Sequence, residues 1–466
     1  MGNIFIGDSS SKARKVTNAY VGVDGVARKI KQIYVGDSSG IARLVWKLGG
    51  NYLFCKYWNT DSSSRRDIFS CFNRNGSTFT RITAPTISTS SQSLVEYSRD
   101  DAKVVAHNNF NKIDFYRLSG NNYTLSFSAS MAFSDLKAYV PNSGNTAFIH
   151  SALYASTSTD LFGLSANGKY FYIGLVGYTT GSVSSYEYTS IILIFDISNN
   201  SLNFKQAIHI KTYNTNYGSL GDLIGTASDD LGVFAVAYDV DDGYSTTTKE
   251  KRVLIGAIGE DYTSTSNIGS SVSSYGYTYA IYNQTPYHAL KVSPSGKYVT
   301  FFMSSSSSST GTIYYINGYV TVDRTNKKTS SPIALVSAQS DFYTYPPMNY
   351  EFVRDDYIYS INKTANYYDL MVFKNNNGTF SKTSRVTLTI PTSPSENYDP
   401  SASMGYYKKL TGATFDFDTN IGVFFEGRGR YDICSLNGSN GTFTGYSRID
   451  GGSFNDTVNV KYAYIN

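Results

Sequence analysis

The sequence predicts an all-β protein, in which a ribbon of N-terminal β-hairpin repeats precedes a seven-bladed β-propeller closed by a C-terminal strand. Three observations predict this fold class. Residues 3–47 repeat a short hairpin unit, residues 160–207 have the pattern of a four-stranded antiparallel meander, and copies of that meander recur along the chain. One meander cannot bury both of its faces, whereas meanders arranged in a ring cover one another.

Composition agrees with an all-β chain and excludes some partners. The 466 residues are 41% hydrophobic and 15% aromatic, with 42 Tyr and only 10 Pro. A chain of this length and hydrophobic content can form a large buried core. Lys and Arg exceed Asp and Glu by 40 − 36 = 4. Because so small an excess is typical of ordinary solvated charge, we expect no nucleic-acid partner.

The termini and cysteines bear on localisation. Residues 1–6 lack a basic segment followed by an apolar one, and the sequence has no run of eighteen apolar residues. We therefore expect synthesis in the host cytoplasm, without a signal peptide or membrane insertion. Three cysteines cannot form a disulfide framework, and we expect Cys55 and Cys71, on adjacent strands, to be buried thiols.

The first fifty residues contain three hairpin units, 5–16, 20–30 and 34–45. In each, an aromatic-aliphatic-Gly run meets an Ala-Arg-basic-aliphatic run across a turn. Asp24-Gly25 is a strong signal for a two-residue turn, while Asp-Ser-Ser in the other units predicts longer loops. The basic residues alternate with apolar ones, as on solvated strand faces. Because hairpins alone are marginal in water, this ribbon needs a partner.

The unit Tyr20–Ile30, with the ending Ala42–Trp46, resembles N-terminal modules of tail and other virion structural proteins from phages of Gram-positive bacteria. The resemblance implies that residues 1–48 attach the chain to other virion or tail proteins, with the propeller occupying 49–466. It also implies a virion location, and we expect a homo-oligomer on the particle. The expected anchor residues are Tyr20, Gly22, Arg28, Tyr34, Gly36 and Arg43.

The meander that serves as template has strands a to d at 161–165, 170–175, 191–197 and 202–207. These short runs are rich in β-branched and aromatic residues and are separated by Gly, Asn and Ser. A less certain fourth strand of one copy is placed at Tyr319–Val322. The further copies lie at 93–127, 223–257, 289–322, 351–380 and 414–446.

Two kinds of turn recur between the predicted strands. Ser165–Tyr170 and Ser293–Tyr298 join strands a and b, and they resemble turns of WD40-like and TolB-like propellers. An Asn-Gly pair is predicted to join strands c and d in three copies, at Asn75-Gly76, Asn377-Gly378 and Asn440-Gly441. Asn-Gly predicts a type I′ turn there, because both residues accept positive φ.

The first copy is incomplete. Segments 52–58, 67–72 and 77–81 match strands b, c and d, with no strand a before them. We predict that Asn459–Tyr464, at the far end of the chain, supplies strand a and closes the ring without exposed edges. Six copies and this split one make seven blades; six or eight stay open because 128–160 and 259–288 are poorly assigned.

The two ends of the predicted propeller differ. Turns a-to-b and c-to-d are short, whereas the b-to-c loops and d-to-a crossovers are long, and long loops on a rigid scaffold usually carry recognition. Tyr offers a large amphipathic contact surface at low entropic cost, and its ring stacks on sugars. Residues 50 and 466 are predicted at the opposite, plain end. The expected ligand-binding residues are Tyr178, Tyr186, Tyr188, Tyr213, Tyr217, Tyr244, Tyr262, Tyr275, Tyr277 and Tyr343.

Little in the sequence predicts chemistry. The four His are scattered and no strand-to-helix nucleophile elbow of the Gly-x-Ser-x-Gly kind is predicted, so we expect no catalytic residue, zinc site or cofactor. The acidic pairs 100–101, 229–230 and 355–356 fall in a-to-b turns, where Asp serves the turn. Weak Ca²⁺ alternatives are Asp239 with Asp241 and Asp242, and the segment 416–420.

These patterns together predict a tail-fibre or receptor-binding structural protein of a phage or phage-tail-like particle. Its loop face would bind a host cell-surface glycan or protein. Two alternatives stay open: a decoration or scaffold protein without a ligand, and a propeller enzyme, hydrolase or lyase, that degrades polysaccharide. A glycosidase needs two carboxyl groups about 5 to 10 Å apart, which a sequence does not reveal.

Overall fold

The fold is taken from a computed structural model of the 466-residue chain. It describes residues 5–7, 13–15, 19–23, 26–30, 32–36, 42–47, 51–59, 67–75, 77–83, 93–99, 103–108, 112–119, 121–130, 133–139, 146–149, 162–179, 187–213, 220–225, 233–240, 249–258, 277–279, 290–306, 313–323, 328–331, 333–336, 349–363, 367–388, 410–417, 419–426, 430–453 and 458–465.

The N-terminal region forms three two-stranded antiparallel sheets, one for each predicted hairpin. The register repeats: Gly lies opposite Ala in all three, and an aliphatic residue lies opposite Arg. Five residues separate the two paired strands in the first and third hairpins (8–12 and 37–41), whereas two separate them in the second (24–25). The longer first and third turns are therefore confirmed. The strands are β1 (Phe5–Gly7), β2 (Ala13–Lys15), β3 (Ala19–Val23), β4 (Val26–Ile30), β5 (Gln32–Gly36) and β6 (Ala42–Lys47).

The rest of the described chain is almost entirely strand, as predicted. Its first half contains β7 (Asn51–Asn59), β8 (Asp67–Asn75), β9 (Thr78–Ile82), β10 (Ser93–Tyr97), β11 (Val104–Asn108), β12 (Lys112–Ser119), β13 (Asn122–Ser130), helix α1 (Phe133–Leu136), 3₁₀ helix η1 (Lys137–Tyr139), β14 (Thr146–Ile149), β15 (Phe162–Leu164), β16 (Tyr170–Thr179), β17 (Glu187–Asp196), β18 (Asn203–Tyr213), β19 (Leu220–Gly225), β20 (Phe234–Val240), β21 (Lys249–Gly256) and β22 (Tyr277–Tyr279).

The second half continues in the same way, with antiparallel neighbours throughout. It contains β23 (Lys291–Val292), β24 (Tyr298–Ser306), β25 (Ile313–Asp323), β26 (Lys328–Thr329), β27 (Ile333–Ala334), β28 (Asn349–Val353), β29 (Tyr357–Lys363), β30 (Tyr368–Asn376), β31 (Thr379–Leu388), β32 (Leu410–Asp416), β33 (Ile421–Glu426), β34 (Arg430–Ser439), β35 (Thr442–Ser453) and β36 (Val458–Ile465).

These strands form a β-propeller arrangement. Within the described residues, five sheets have four strands, in the orders β36-β7-β8-β9, β10-β11-β12-β13, β19-β20-β21-β22, β28-β29-β30-β31 and β32-β33-β34-β35. Regular four-stranded blades therefore number five, not the seven expected from the sequence. The two other large sheets have five strands: β14 to β18, and β23 to β27. The additional strands β14 and β27 lie in segments that a four-strand template does not anticipate.

Consecutive sheets pack through their first strands. β10 contacts β15, β15 contacts β19, β19 contacts β23, β23 contacts β28, and β28 contacts β32. β32 contacts β36, and β8 of that sheet contacts β10, so the sheets close into a ring. The first strand of each sheet is consequently the innermost.

Ring closure occurs as the sequence predicted. β36 pairs antiparallel with β7: Ile465 lies opposite Leu53, Tyr464 opposite Phe54 and Ala463 opposite Cys55. A polypeptide with 466 residues thus completes its first sheet with its last strand, which covers the edge of β7 that would otherwise be unpaired.

The predicted turns are present where both of their residues are described, whereas Gly76 of the Asn75-Gly76 turn is outside the described residues. Asn377 and Gly378, like Asn440 and Gly441, have positive φ, as a type I′ turn requires. In the a-to-b turn, the Ser165 hydroxyl accepts hydrogen bonds from the N–H groups of Lys169 and Tyr170, at 3.0 and 2.9 Å. The Asn-Gly and Ser-containing signals therefore work through local backbone geometry.

The core lies between neighbouring sheets. Alternate residues of a strand face opposite neighbours, as a period of two requires. In β7, Phe54 packs with Tyr97, Val104 and Tyr464, whereas Leu53 packs with other residues on the opposite face, including Val423, Phe425 and Ile433. Each sheet is consequently covered on both faces.

Two predicted boundaries are wrong. Residues 319–322 are not a separate fourth strand, because β25 continues through Asn317-Gly318, where Phe301 lies opposite Gly318. The long partner β24 holds this Asn-Gly in the ladder, and the fourth position is taken by β26 and β27. The loop expected from 176 to 189 is also shorter, since β16 extends to Thr179 and β17 begins at Glu187.

Within the described ranges, no helix is long and apolar enough to cross a membrane.

Replacing Ile465 by Ala tests the closure. This side chain is 5% exposed and contacts the core between β7 and β33. We expect the free energy of unfolding to fall by about 2 to 4 kcal/mol, the usual cost of such a cavity. Ile449→Ala, at a side chain 46% exposed, is the matched control and should change it by less than about 0.5 kcal/mol. Equal effects in urea unfolding would show that β36 does not close the ring.

Candidate functional site

The predicted tyrosine-bearing end can be followed on the backbone of four of its ten residues. Tyr178, Tyr188, Tyr213 and Tyr277 lie in strands β16, β17, β18 and β22. The expectation that they lie in loops is corrected for these four, because the strands are longer than predicted. The others are outside the described residues: Tyr186, Tyr217, Tyr244, Tyr262, Tyr275 and Tyr343.

Register brings three of these residues to one end of one sheet. Tyr178 is directly opposite Tyr188, and Glu187 is opposite Tyr213. Cross-strand partners have Cβ atoms about 4.5 to 5.5 Å apart. Tyr277 lies opposite Lys251 in another sheet. The sequence identified these residues by composition, but strand pairing decides which of them are neighbours.

The tyrosine-bearing end and the start of β7 lie at opposite ends of equivalent strands. β7 starts at Asn51, beside Ile465, because Leu53 and Ile465 are paired. β16 occupies the same second position in its sheet, starts at Tyr170, and has Tyr178 near its other end. Equivalent strands of a propeller run in the same direction. The connection from β6 therefore enters at the end away from Tyr178.

Many other tyrosines are structural. Tyr350 and Tyr359 are buried, and their hydroxyls donate to the carbonyls of Gly318 and Ala413 in neighbouring sheets, both at 3.0 Å. Burial raises the pKa of Tyr359 well above its usual value, and nearby Glu351 adds to this, so the hydroxyl keeps its proton. The abundance of Tyr thus has a second cause besides recognition, since buried Tyr needs a hydrogen-bond partner.

A buried ionic cluster lies where the innermost strands meet. Arg99 Nη2 donates to Glu351 Oε1 at 2.5 Å, and Lys291 Nζ lies 3.5 Å from Glu351 Oε2. The Arg99 guanidinium carbon is 4.8 Å from the ring centroid of Tyr464. Arg99, Lys291 and Glu351 are all less than 9% exposed. The cluster connects four sheets that are distant in sequence, so its evident effect is to hold the ring.

The predicted acidic sites serve structural roles where they are described. Asp355 accepts from the Ser295 N–H at 3.2 Å, a contact between the a-to-b turns of two neighbouring sheets that the sequence did not predict. Asp416 accepts from Arg74 Nη1 at 2.6 Å, so a cation already engages that carboxylate. Asp239 lies on β20, while Asp241 and Asp242 are outside the described residues. Within those residues, no three His, Cys, Asp or Glu side chains are grouped to hold a metal ion.

The cysteines are buried and reduced, which confirms the expectation for Cys55 and Cys71. Cys71 lies opposite Phe54 and Cys55 opposite Ser70, so the two contribute to different cores. Burial raises the pKa of Cys71 to about 12 and also that of Cys434 to about 12. Both remain thiols at neutral pH, and thiols are poor nucleophiles.

A cleft that the sequence did not indicate lies between the outer strands β31 and β35. Its volume is about 680 Å³. Sequence reasoning missed it because its two walls belong to different meanders. One feature of the sequence could have indicated it: an Asp near the start of the third strand and an Arg in the fourth recur in both meanders. In the structure these residues form the ion pairs of Asp369 with Arg385 and of Asp432 with Arg448. The lining residues are Arg385, Val386, Thr387, Thr444, Gly445, Tyr446 and Arg448.

The propeller region is similar to several solved structures. A Bacteroides fragilis protein described as a 6-phosphogluconolactonase is 12% identical, with 90% of this chain and 98% of that chain covered and a TM-score of 0.40. A Lactobacillus plantarum protein is 10% identical, covering 90% and 100%, with a TM-score of 0.40. TolB from Acinetobacter baumannii is 12% identical, covering 71% and 62%, with a TM-score of 0.30.

No protein-family model matches the sequence, and no curated protein does. At the identities and TM-scores above, the similar structures carry no argument about activity. The β-propeller arrangement rests on the strand order and on the contacts between sheets.

Replacing Glu351 by Gln tests the ionic cluster. The change leaves Arg99 and Lys291 buried without that carboxylate, so we expect the free energy of unfolding to fall by about 3 to 5 kcal/mol. Asp356→Asn is the control, because Asp356 is 62% exposed and its ion pair with Arg354 should contribute less than about 0.5 kcal/mol. A Glu351→Gln protein as stable as the control in urea would contradict a stabilising role.

Proposed function

We propose that this chain is a tail-fibre or receptor-binding component of a phage or phage-tail-like particle. Residues 1–48 attach it to other virion or tail proteins, and the loop end of the propeller binds a glycan or protein on the host cell surface. The chain is then a virion protein that is made in the host cytoplasm, forms a homo-oligomer on the particle and has no enzymatic activity.

One observation carries this proposal: the hairpin region joins the propeller at the end away from Tyr178 and Tyr188. A chain attached at one end leaves the opposite end exposed to its surroundings. Two Tyr residues are paired across strands at that opposite end, and Tyr is a residue type suited to contact with sugars or protein.

The repeated register of the hairpins supports attachment. Val21 lies opposite Arg28 and Val35 opposite Arg43, and each adjoining Gly lies opposite Ala. Two-stranded ribbons are marginal in water on their own. An external partner that binds each hairpin in the same way is a physical reason for three matching copies.

We also propose that the propeller has seven blades. The two five-stranded sheets are four strands wide, because two short strands share one edge in each. β14 pairs with residues 176–179 of β16, and β15 pairs with residues 171–173 of the same edge. β26 and β27 likewise share the free edge of β25. This reading assigns one blade to each large sheet.

Replacing both Tyr178 and Tyr188 by Ala tests the recognition surface. We expect binding of the labelled full chain to an array of bacterial cell-wall glycans, or to cells of a Gram-positive panel, to fall at least about tenfold, which corresponds to about 1.4 kcal/mol. Flow cytometry and array fluorescence measure it.

The control for that experiment is Phe204→Ala. Phe204 is a 40% exposed aromatic residue on β18, next to a short c-to-d turn at the opposite end. It should leave binding unchanged. Binding by neither the native chain nor its variants would favour a decoration protein without a ligand, and release of reducing sugar from the glycans would favour an enzyme.

Deleting residues 1–47 tests the anchor. Because β7 begins at Asn51 and pairs with β36, the propeller should remain folded and soluble. Incorporation into particles, followed by immunoblotting of purified particles, should be lost while cell binding persists. Normal incorporation of the shortened chain would refute attachment through the hairpins.

A further inference from the structure

The cleft between β31 and β35 has a fixed cation on one wall. Arg448 Nε lies 2.7 Å from Asp432 Oδ1. The Asp432 side chain is 9% exposed and that of Arg448 is 52% exposed. A guanidinium has five N–H donors, so the contact with Asp432 orients Arg448 and leaves donors toward solvent. An oriented guanidinium is well suited to a carboxylate or phosphate, which it binds through two parallel hydrogen bonds.

The other ionic pair beside the cleft balances its own charge. Asp369 is fully buried and accepts from Arg385 Nε at 2.9 Å and from Thr387 Oγ1 at 3.2 Å. Each Arg at the cleft is thus matched by an Asp. Attraction of an anion would therefore depend on short-range hydrogen bonding at Arg448 more than on long-range charge.

The remaining lining groups suit a sugar. The Tyr446 ring is half-buried, with its centroid 5.4 Å from that of Phe424, which fixes its position. Thr387 and Thr444 are exposed, and each donates its hydroxyl proton within the protein, to Asp369 and to the Asn437 carbonyl. Their oxygens can still accept hydrogen bonds from ligand hydroxyls.

We propose that the β31–β35 cleft binds an acidic sugar residue. Its carboxylate or phosphate binds Arg448, and its apolar face lies on Tyr446. This inference rests on the proposed function, because the acidic sugar is taken to be part of the host surface glycan. It adds a second subsite, on the side of the ring, to the tyrosine-bearing end.

The experiment measures binding of the purified full chain by titration calorimetry to three probes. They are a galacturonic acid trisaccharide, a glycerol phosphate trimer and a neutral galactose trisaccharide. We expect one acidic probe to bind at least about tenfold more tightly than the neutral one. The acidic probe that binds identifies the anion as carboxylate or phosphate. Failure of both acidic probes to bind would overturn the inference.

Two variants and a control locate the site. Arg448→Gln removes the cation, and Arg448→Lys keeps the charge without the parallel donors of a guanidinium, so a native melting temperature is expected for the second variant. Both should weaken binding of the acidic probe at least about tenfold. Arg117→Gln, at an exposed Arg of β12, should not. Unchanged binding by a folded Arg448→Gln protein would overturn the inference.

The outcomes separate this inference from the proposed function. If the native chain binds cells and the tyrosine variant does not, but neither acidic probe binds, the proposed function stands and the cleft inference falls. If an acidic probe binds in the cleft but no cell or glycan array is bound, the cleft inference stands and the proposed host attachment falls.

Discussion

The pairing of β36 with β7 is the interaction on which the propeller depends. It joins the two ends of a region of more than four hundred residues by one antiparallel ladder, with Ile465 opposite Leu53. Without it, β7 and β32 would each lose a neighbour, and an unpaired sheet edge exposes hydrogen-bonding groups. The same pairing fixes the end of the ring at which the chain enters β7.

Contacts between sheets then make the ring rigid. Hydrophobic residues alternate between two cores along each strand, and buried tyrosine hydroxyls reach carbonyls of the next sheet, as Tyr359 does with Ala413. The cluster of Arg99, Lys291 and Glu351 joins innermost strands from different sheets. Buried ion pairs often contribute little over apolar packing, but removing one member is costly, so the cluster constrains which strands meet.

A ring held in this way can support recognition on two surfaces. The end with Tyr178 opposite Tyr188 has paired aromatic residues at the limit of long strands. The cleft between β31 and β35 lies on the side, between outer strands of neighbouring sheets. Each outer strand is anchored to its own sheet, so the cleft does not depend on the long connections. The two surfaces are consequently independent, and each can be altered without the other.

The sequence by itself determined the strands, their turns and the closing segment, because period-two patterning and Asn-Gly or Ser-containing turns act locally. It therefore located Asn459–Tyr464 in the first sheet and three hairpins before it. Only the tertiary structure decided what depends on neighbours. Gly318 stays inside β25 because β24 pairs with it, Glu351 meets Arg99 at a separation of 252 residues, and Arg448 shares a cleft with β31. Such contacts leave no periodic trace in a sequence, since they join residues whose spacing is set by the packing of separate sheets.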